Sequence, residues 1–213
     1  MSVWGLSIYG VDITQNYTQP FFDDLFEALG RPYSVFYGND IKLLQAKCNI
    51  ENHDLIVGSY NYDMQNFERN CGYQLVALTD QAINMYIRAD ANLDEIKSLA
   101  LIQGVSAGEV LISDDKSVVY YPNHVTAILA LYRGEIDGVV SSETGVKPLL
   151  PLLGKKIKVA YTFSEQGHAV VLMSRSYFAS VDGKKLRSLL LSNREKSLEV
   201  FVDGMGLGRW RQP

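Results

Sequence analysis

Apolar and polar positions along this chain follow two alternating periods. VWGLSIYG at the N-terminus is a β-rich run that ends at Gly10. YTQPFFDDLFEALGRP follows, with Phe21, Phe22, Leu25, Phe26 and Leu29 spaced along one helical face. Thr18 is the candidate cap, Pro20 falls in the first turn, and Gly30 with Pro32 supplies the stop. SVFYG (34–38) is a second strand, Asn39 or Asp40 caps a short helix carrying Ile41, Leu43 and Leu44, and DLIVG (54–58) is a third strand. The order βαβαβ predicts an α/β fold with a parallel sheet and helical crossovers.

Beyond a helix or loop near 61–70, QLVAL (74–78) and INMYIR (83–88) read as strands flanking Thr79-Asp80-Gln81. A short helix around LDEIKSL precedes the strand LALIQ (99–103), and VSAGEVLI and the strand VVYY (118–121) follow. NHVTAILALYRG is a capped helix: Asn123 opens it, Val125, Ile128, Leu129 and Tyr132 share a face, and Gly134 closes it before the strand GVV (138–140). KIKVAYTF and HAVVLM are two more strands separated by SEQG, and helices carrying Leu186, Leu189, Leu190 and then Leu198 and Phe201 end the chain.

The helix-to-strand step occurs twice. AKCNIENHDLIVGSY and LYRGEIDGVVSSE each pass from a helix through an Asp into an apolar strand that ends in small polar residues. Asp54 and Asp137 precede their strands, where a turn-forming Asp is the plain explanation. In an open parallel sheet, ligands bind beyond the carboxyl ends of the strands. Gly58-Ser59-Tyr60 and Ser141-Ser142-Glu143 hold that position in their respective halves.

Composition adds exclusions. The 213 residues suffice for one large domain or two lobes, and 47% apolar with 21% charged residues is an ordinary globular balance. A net charge of −4 offers no basic footprint for nucleic acid. No apolar run is long enough to span a membrane. The N-terminus shows no secretory leader, so the expectation is either a cytoplasmic protein or one whose leader has been removed. Cys48 and Cys71 either close a loop as a disulfide in an oxidising compartment or remain two buried thiols. Two cysteines and three scattered histidines give no zinc spacing, and no cofactor motif or nucleophile–base pair stands out.

The stretches ALGRP, HDLIVGSY, the Tyr-Ile-Arg strand end before LDEIKSL, the Ser-Ala-Gly turn, ALYRGEIDGVV and QGHAVVLMSR, in that order, resemble the type 2 periplasmic solute-binding proteins. The likeness is greatest to the phosphate/phosphonate-binding family of ABC transporters. It implies a two-lobed Venus-flytrap fold whose lobes are joined by two crossing strands, near Leu78–Ile83 and Ser164–Ala169. Lobe 1 is then 1–79 plus 168–213, and lobe 2 is 80–167. The implied function is extracytoplasmic, non-enzymatic capture of a small polar solute or oxyanion for an ABC permease. The alternatives are a ligand-sensing domain of a histidine kinase or cyclase, with a membrane signalling partner, and a cytoplasmic enzyme of menaquinone-pathway type on the same fold.

The resemblance also nominates ligand groups. Ser106-Ala107-Gly108 matches a turn that holds phosphonate oxygens in that family, although a Ser at such a place is also an ordinary N-cap. His124 matches a ligand-proximal His that would donate to an oxyanion, more strongly if protonated; a surface His beside a capping Asn is the alternative. Tyr9, Ser59 and Tyr60 sit at strand ends, where an aromatic ring covers a ligand and its hydroxyl hydrogen-bonds. At Thr79, Asp80 and Gln81 the family places a Tyr and a Ser, whereas this sequence reads DQAIN, which suits an amine or a ligand with several donors. Ser141 and Ser142 suit an oxyanion and Glu143 an ammonium group.

Overall fold

The computed structural model describes residues 1–6, 11–38, 53–59, 62–102, 116–192 and 210–213. In chain order the elements are β1 (Ser2–Leu6), α1 (Val11–Leu29), β2 (Ser34–Gly38), β3 (Leu55–Ser59), α2 (Tyr62–Asn70), β4 (Tyr73–Arg88), β5 (Ser98–Ile102) and β6 (Ser117–Tyr121). They continue with α3 (His124–Arg133), β7 (Gly138–Ser142), α4 (Glu143–Val146), a 3-10 segment (Lys147–Leu153), β8 (Ile157–Ser174), α5 (Arg175–Ala179) and α6 (Val181–Ser192). The chain forms two compact units, Met1–Asp80 with His168–Pro213, and Gln81–Gly167.

In the first unit, β1 pairs in parallel with β2 and with β3, and β3 runs antiparallel to the C-terminal part of β8. The apolar stripe of α1 is what the 3.6-residue period predicts: Phe21, Phe22, Leu25, Phe26 and Leu29 are all buried. Trp210, from the C-terminal segment, stacks on Phe21 with ring centroids 6.5 Å apart. A second cluster joins Ile56, Met64, Phe67, Tyr73, Val170 and Leu172, with Cys71 packed against it. Cys71 is disulfide-bonded, and the one other cysteine of the chain, Cys48, lies outside the described residues.

In the second unit, β5 is parallel to both β6 and β7, and β7 is antiparallel to the second half of β4. Alternate residues of β4 face opposite sides. Ile83, Met85 and Ile87 join Ile96, Leu99, Leu101 and Val140 in one core cluster. The ends of α3 follow their sequence signals, but its buried face does not: His124, Ala127, Ile128, Ala130 and Leu131 are buried, whereas Leu129 and Tyr132 of the expected face are exposed and Val125 is half-buried. Asn123 caps it by accepting from the Thr126 amide at 2.9 Å. Gly134 ends it at φ 76°, a left-handed conformation that favours glycine, and sends its amide back to the last turn.

Each unit fastens the amino ends of its parallel strands with an aspartate. Asp54 Oδ2 accepts from the Ser2 amide at 2.9 Å, and the Asp54 amide donates to the Ser2 carbonyl at 2.8 Å. Asp137 Oδ2 accepts from the amides of Lys97 and Ser98 at 3.1 and 2.9 Å and from the Ser98 hydroxyl at 2.8 Å. These carboxylates tie one strand to the start of its neighbour.

Four further expectations change. The helix α1 begins at Val11, so Thr18 is not its cap and Pro20 lies inside it; the apolar stripe marks only the part that reaches the core. The two strands read on either side of Thr79-Asp80-Gln81 are one: β4 runs unbroken from Tyr73 to Arg88, through the crossing near Leu78–Ile83 that the resemblance implied. SEQG likewise lies within the 18-residue β8. A strand is held by its backbone ladder, and polar side chains do not interrupt that. LDEIKSL forms a single 3-10 turn at Leu93–Glu95 rather than an α-helix. The segments carrying Ile41, Leu43 and Leu44, VSAGEVLI, and Leu198 with Phe201 lie outside the described residues.

Candidate functional site

The strand registers of the second unit gather polar groups at one edge. The parallel pairings Ile102↔Tyr121 and Leu99↔Gly138 bring the carboxyl ends of β5, β6 and β7 together. The antiparallel pairing Ile83↔Ser142 brings Gln81 to the same edge. This is where an open α/β sheet receives ligands.

His124, the first residue of α3, is buried there, with its Nδ1 2.7 Å from Ser141 Oγ. Burial pushes its pKa down from 6.5 to about 4, so the imidazole is neutral near pH 7. The expected protonated donor is therefore corrected: an uncompensated cation in this enclosed position is too costly. Gly145 makes the close packing possible. A Cβ there would lie 2.3 Å from His124 Nδ1 and 2.9 Å from Ser141 Oγ.

The two serines have internal partners. Ser141 is 1% exposed and holds His124. Ser142 is the N-cap of α4 and accepts from the Gly145 amide at 3.2 Å. Glu143 is a third exposed and pairs with Lys147 at 3.3 Å, one helical turn on. Thr144 was not singled out by sequence. Its Oγ1 donates to Gln81 Oε1 at 2.5 Å, and both side chains are buried. A Cβ on Gly167 would lie 3.2 Å from Gln81 Nε2, so this glycine makes room for the amide.

At the end of the first unit, Thr79 is fully buried and its hydroxyl meets no hydrogen-bond partner among the described residues. Asp80 is not the open carboxylate that an amine ligand would need. Its Oδ1 lies 2.5 Å from Arg211 Nη2 and 2.9 Å from His168 Nδ1. The histidine contact falls outside hydrogen-bond geometry, so it is a charge–dipole or ionic contact rather than a directed bond. Arg211 is held in place by reciprocal backbone bonds with Leu78 at 3.0 and 2.8 Å. Ser59 ends β3, paired with Ala169. Tyr9, Tyr60, Ser106, Ala107 and Gly108 lie outside the described residues.

Sequence reasoning also missed a polar chain on the other face of β4. Thr162 Oγ1 donates to Asn84 Oδ1 at 2.8 Å, and Asn84 Nδ2 donates to Tyr86 Oη at 3.1 Å. The available signal was an Asn inside the otherwise apolar run INMYIR, since a buried amide needs partners. Among the described residues no cluster of side chains is arranged to hold a metal ion, and no helix is long and apolar enough to cross a membrane.

No protein-family model and no curated protein sequence matches the chain. Solved structures do match. The periplasmic VFT2 domain of BvgS from Bordetella pertussis superposes with a TM-score of 0.67 at 15% identity, over 99% of this chain and 93% of that one. PhnD1 from Prochlorococcus marinus, solved with methylphosphonate, gives 0.76 at 11% identity, over 100% and 92%. The GluR0 ligand-binding core from Nostoc punctiforme, solved with glutamate, gives 0.70 at 15% identity, over 96% and 98%. At such identities the likeness concerns the fold. The chain has the two-lobed α/β fold of type 2 periplasmic-binding-protein domains, with β4 and β8 as the two strands common to both units.

Proposed function

We propose that this chain is an extracytoplasmic ligand-binding domain that captures a small polar solute, with an oxyanion such as phosphate or a phosphonate as the leading ligand class, for an ABC transporter. The observation that carries the reading is the polar carboxyl edge of the second unit. There the buried Gln81–Thr144 pair and the N-cap of α4 lie side by side where this fold takes its ligands. The likeness to a domain solved with methylphosphonate supports the oxyanion class. The Ser141–His124 pair supports a non-enzymatic role. An imidazole of pKa about 4 is too weak a base to activate the neighbouring Ser141 hydroxyl at neutral pH.

The test is calorimetric titration with phosphate, methylphosphonate and glutamate, preceded by a thermal-shift screen. Phosphate or methylphosphonate is expected to raise the melting temperature, and Gln81→Ala to weaken that binding by about tenfold, the loss of one buried hydrogen-bonding group. Strong stabilisation by a cation or an apolar compound, with none by oxyanions, removes the oxyanion reading.

A second reading, a sensor domain of a membrane signalling protein, is favoured by the near-complete mutual coverage with the BvgS domain. Transmembrane segments flanking this region in its full-length gene would select the sensor; a cleavable leader alone would select the transporter component.

A further inference from the structure

A pocket lies within the second unit, on the other face of β4 from Gln81, and it shares the start of α4 with the edge just described. It has a volume of about 270 Å³, and its lining includes Asn84, Tyr86, Thr162, Glu143, Lys147 and Leu150. Asn84 and Tyr86 project from β4 on the face opposite to Gln81, because even and odd positions of a strand point to opposite sides.

The polar inventory of this pocket does not close on itself. Asn84 is 5% exposed and Tyr86 is 1% exposed. Asn84 Oδ1 is taken by Thr162, and one Nδ2 hydrogen by Tyr86 Oη. The Tyr86 oxygen acts as acceptor there, which leaves its own hydrogen, and the second amide hydrogen of Asn84, without acceptors among the described residues. Burial, with Glu143 adding to it, pushes the Tyr86 pKa up to about 12 even though the Asn84 bond opposes the shift, so the hydroxyl keeps its proton. Two buried donors facing a cavity carry a desolvation cost that an incoming acceptor would remove. At the mouth stand opposite charges: Glu143 and Lys147, 3.3 Å apart and each about a third exposed.

From this arrangement we infer that the pocket binds a small zwitterion of the amino-acid class, its carboxylate received by Tyr86, Asn84 and Lys147 and its ammonium by Glu143. Net charge decides between classes. A bare oxyanion would meet Lys147 but also lie against Glu143, and a bare cation would meet the reverse conflict. A zwitterion inserts into the ion pair and gives each member a new partner. The volume suits a compact molecule, since it falls just below the range of about 300 to 1,000 Å³ common for ligand pockets. The inference goes beyond the proposed function and does not rest on it.

The experiment titrates the full chain with glycine, L-alanine and L-serine, and with propionate and ethylamine as singly charged counterparts of alanine. Binding is followed by calorimetry and by chemical-shift changes at β4 amides. At least one of the three amino acids is expected to bind, while propionate and ethylamine bind at least about tenfold more weakly, as loss of one charge-assisted contact requires. Tyr86→Phe keeps the ring and removes the donor; it is expected to weaken binding about tenfold, more than Gln81→Ala does. Asn84→Ser, read beside a thermal melt, separates loss of the site from loss of the fold. The inference is overturned if none of the amino acids binds at millimolar concentration. It is equally overturned if the singly charged probes bind as well, if Tyr86→Phe binds as wild type, or if Gln81→Ala loses as much as Tyr86→Phe.

Discussion

Asp54 and Asp137 open the last parallel strand of their respective units, and each reaches back to a serine that opens the neighbouring strand. In the first unit the contacts are divided. Asp54 takes the Ser2 amide, while the Ser2 hydroxyl lies 2.8 Å from His53 Nδ1. In the second unit they are concentrated. Asp137 takes two amides and the Ser98 hydroxyl, and its own amide donates back to Ser98 Oγ at 3.0 Å. The hydrogen bonds from Ser98 and Lys97, with Arg88 nearby, outweigh the upward push of desolvation and hold the Asp137 carboxyl below its usual range. The same place in two units thus meets the same need with different partners. The position of the aspartate reports the topology, and its hydrogen-bond count reports how tightly that corner is held.

The largest effect that separates the units should come from the carboxyl edge of the second, through His124. Its folded pKa of about 4 lies below the unfolded value of 6.5, so the unfolded chain binds more protons between the two. Stability is therefore full above pH 6.5 and falls as the pH drops toward 4, by roughly 3 kcal/mol at most. Denaturant unfolding at stepped pH should show this slope, and His124→Asn should flatten it. An unchanged slope in that variant would assign the acid sensitivity elsewhere.

The aspartates test the comparison directly. Asp137→Ala should destabilise by about 2 kcal/mol, since three donors lose a charged acceptor at a site still open to water. Asp54→Ala, which removes one such bond, should destabilise by about 1 kcal/mol. Asp137 also brings an acid dependence: its depressed pKa contributes stability above the ordinary carboxylate range, lost as the pH falls below that range toward the lowered value. Equal losses in the two variants, measured by urea denaturation, would break the distinction. The smallest contrast is between the serines. Ser98→Ala should destabilise by about 1 kcal/mol and Ser2→Ala by about 0.5 kcal/mol, because Ser98 Oγ both donates to and accepts from Asp137, whereas Ser2 Oγ has one partner, His53, among the hydrogen bonds seen here.

The elements with local chemistry were legible in the sequence. Asn123 and Gly134 marked α3 because caps and left-handed turns depend on the residues that form them. The two aspartates were read as turn residues, and they do serve the strand starts, although their cross-strand partners lie about 40 to 50 positions away and leave no local trace. The two long strands were legible only through the family resemblance, which put crossings near Leu78–Ile83 and Ser164–Ala169; the residue pattern alone split each of them in two. Thr79, Asp80 and Gln81 look like a turn by composition, yet the ladder holds them in β4 through backbone groups that every residue shares. The site was read in position more than in partners. Ser142 was picked for lying at a strand end and Gln81 for lying where the first crossing begins, but Thr144, which engages Gln81 from another element, could not be paired with it without the β4–β7 register. Asp80 was read as suiting an amine, and Arg211, distant in sequence, gave no sign of returning to it.

The contact between Gly145 and the ring of His124 constrains how this sequence can drift. No side chain fits at position 145 while an imidazole fills position 124, because even a methyl group would sit 2.3 Å from a ring nitrogen. Position 145 therefore cannot gain a side chain unless position 124 changes first. A lineage that trades the histidine for a smaller residue frees position 145 for alanine or serine, and one that keeps it is confined to glycine. Libraries that randomise both codons should lose the pairs that set a side chain at 145 against a large residue at 124.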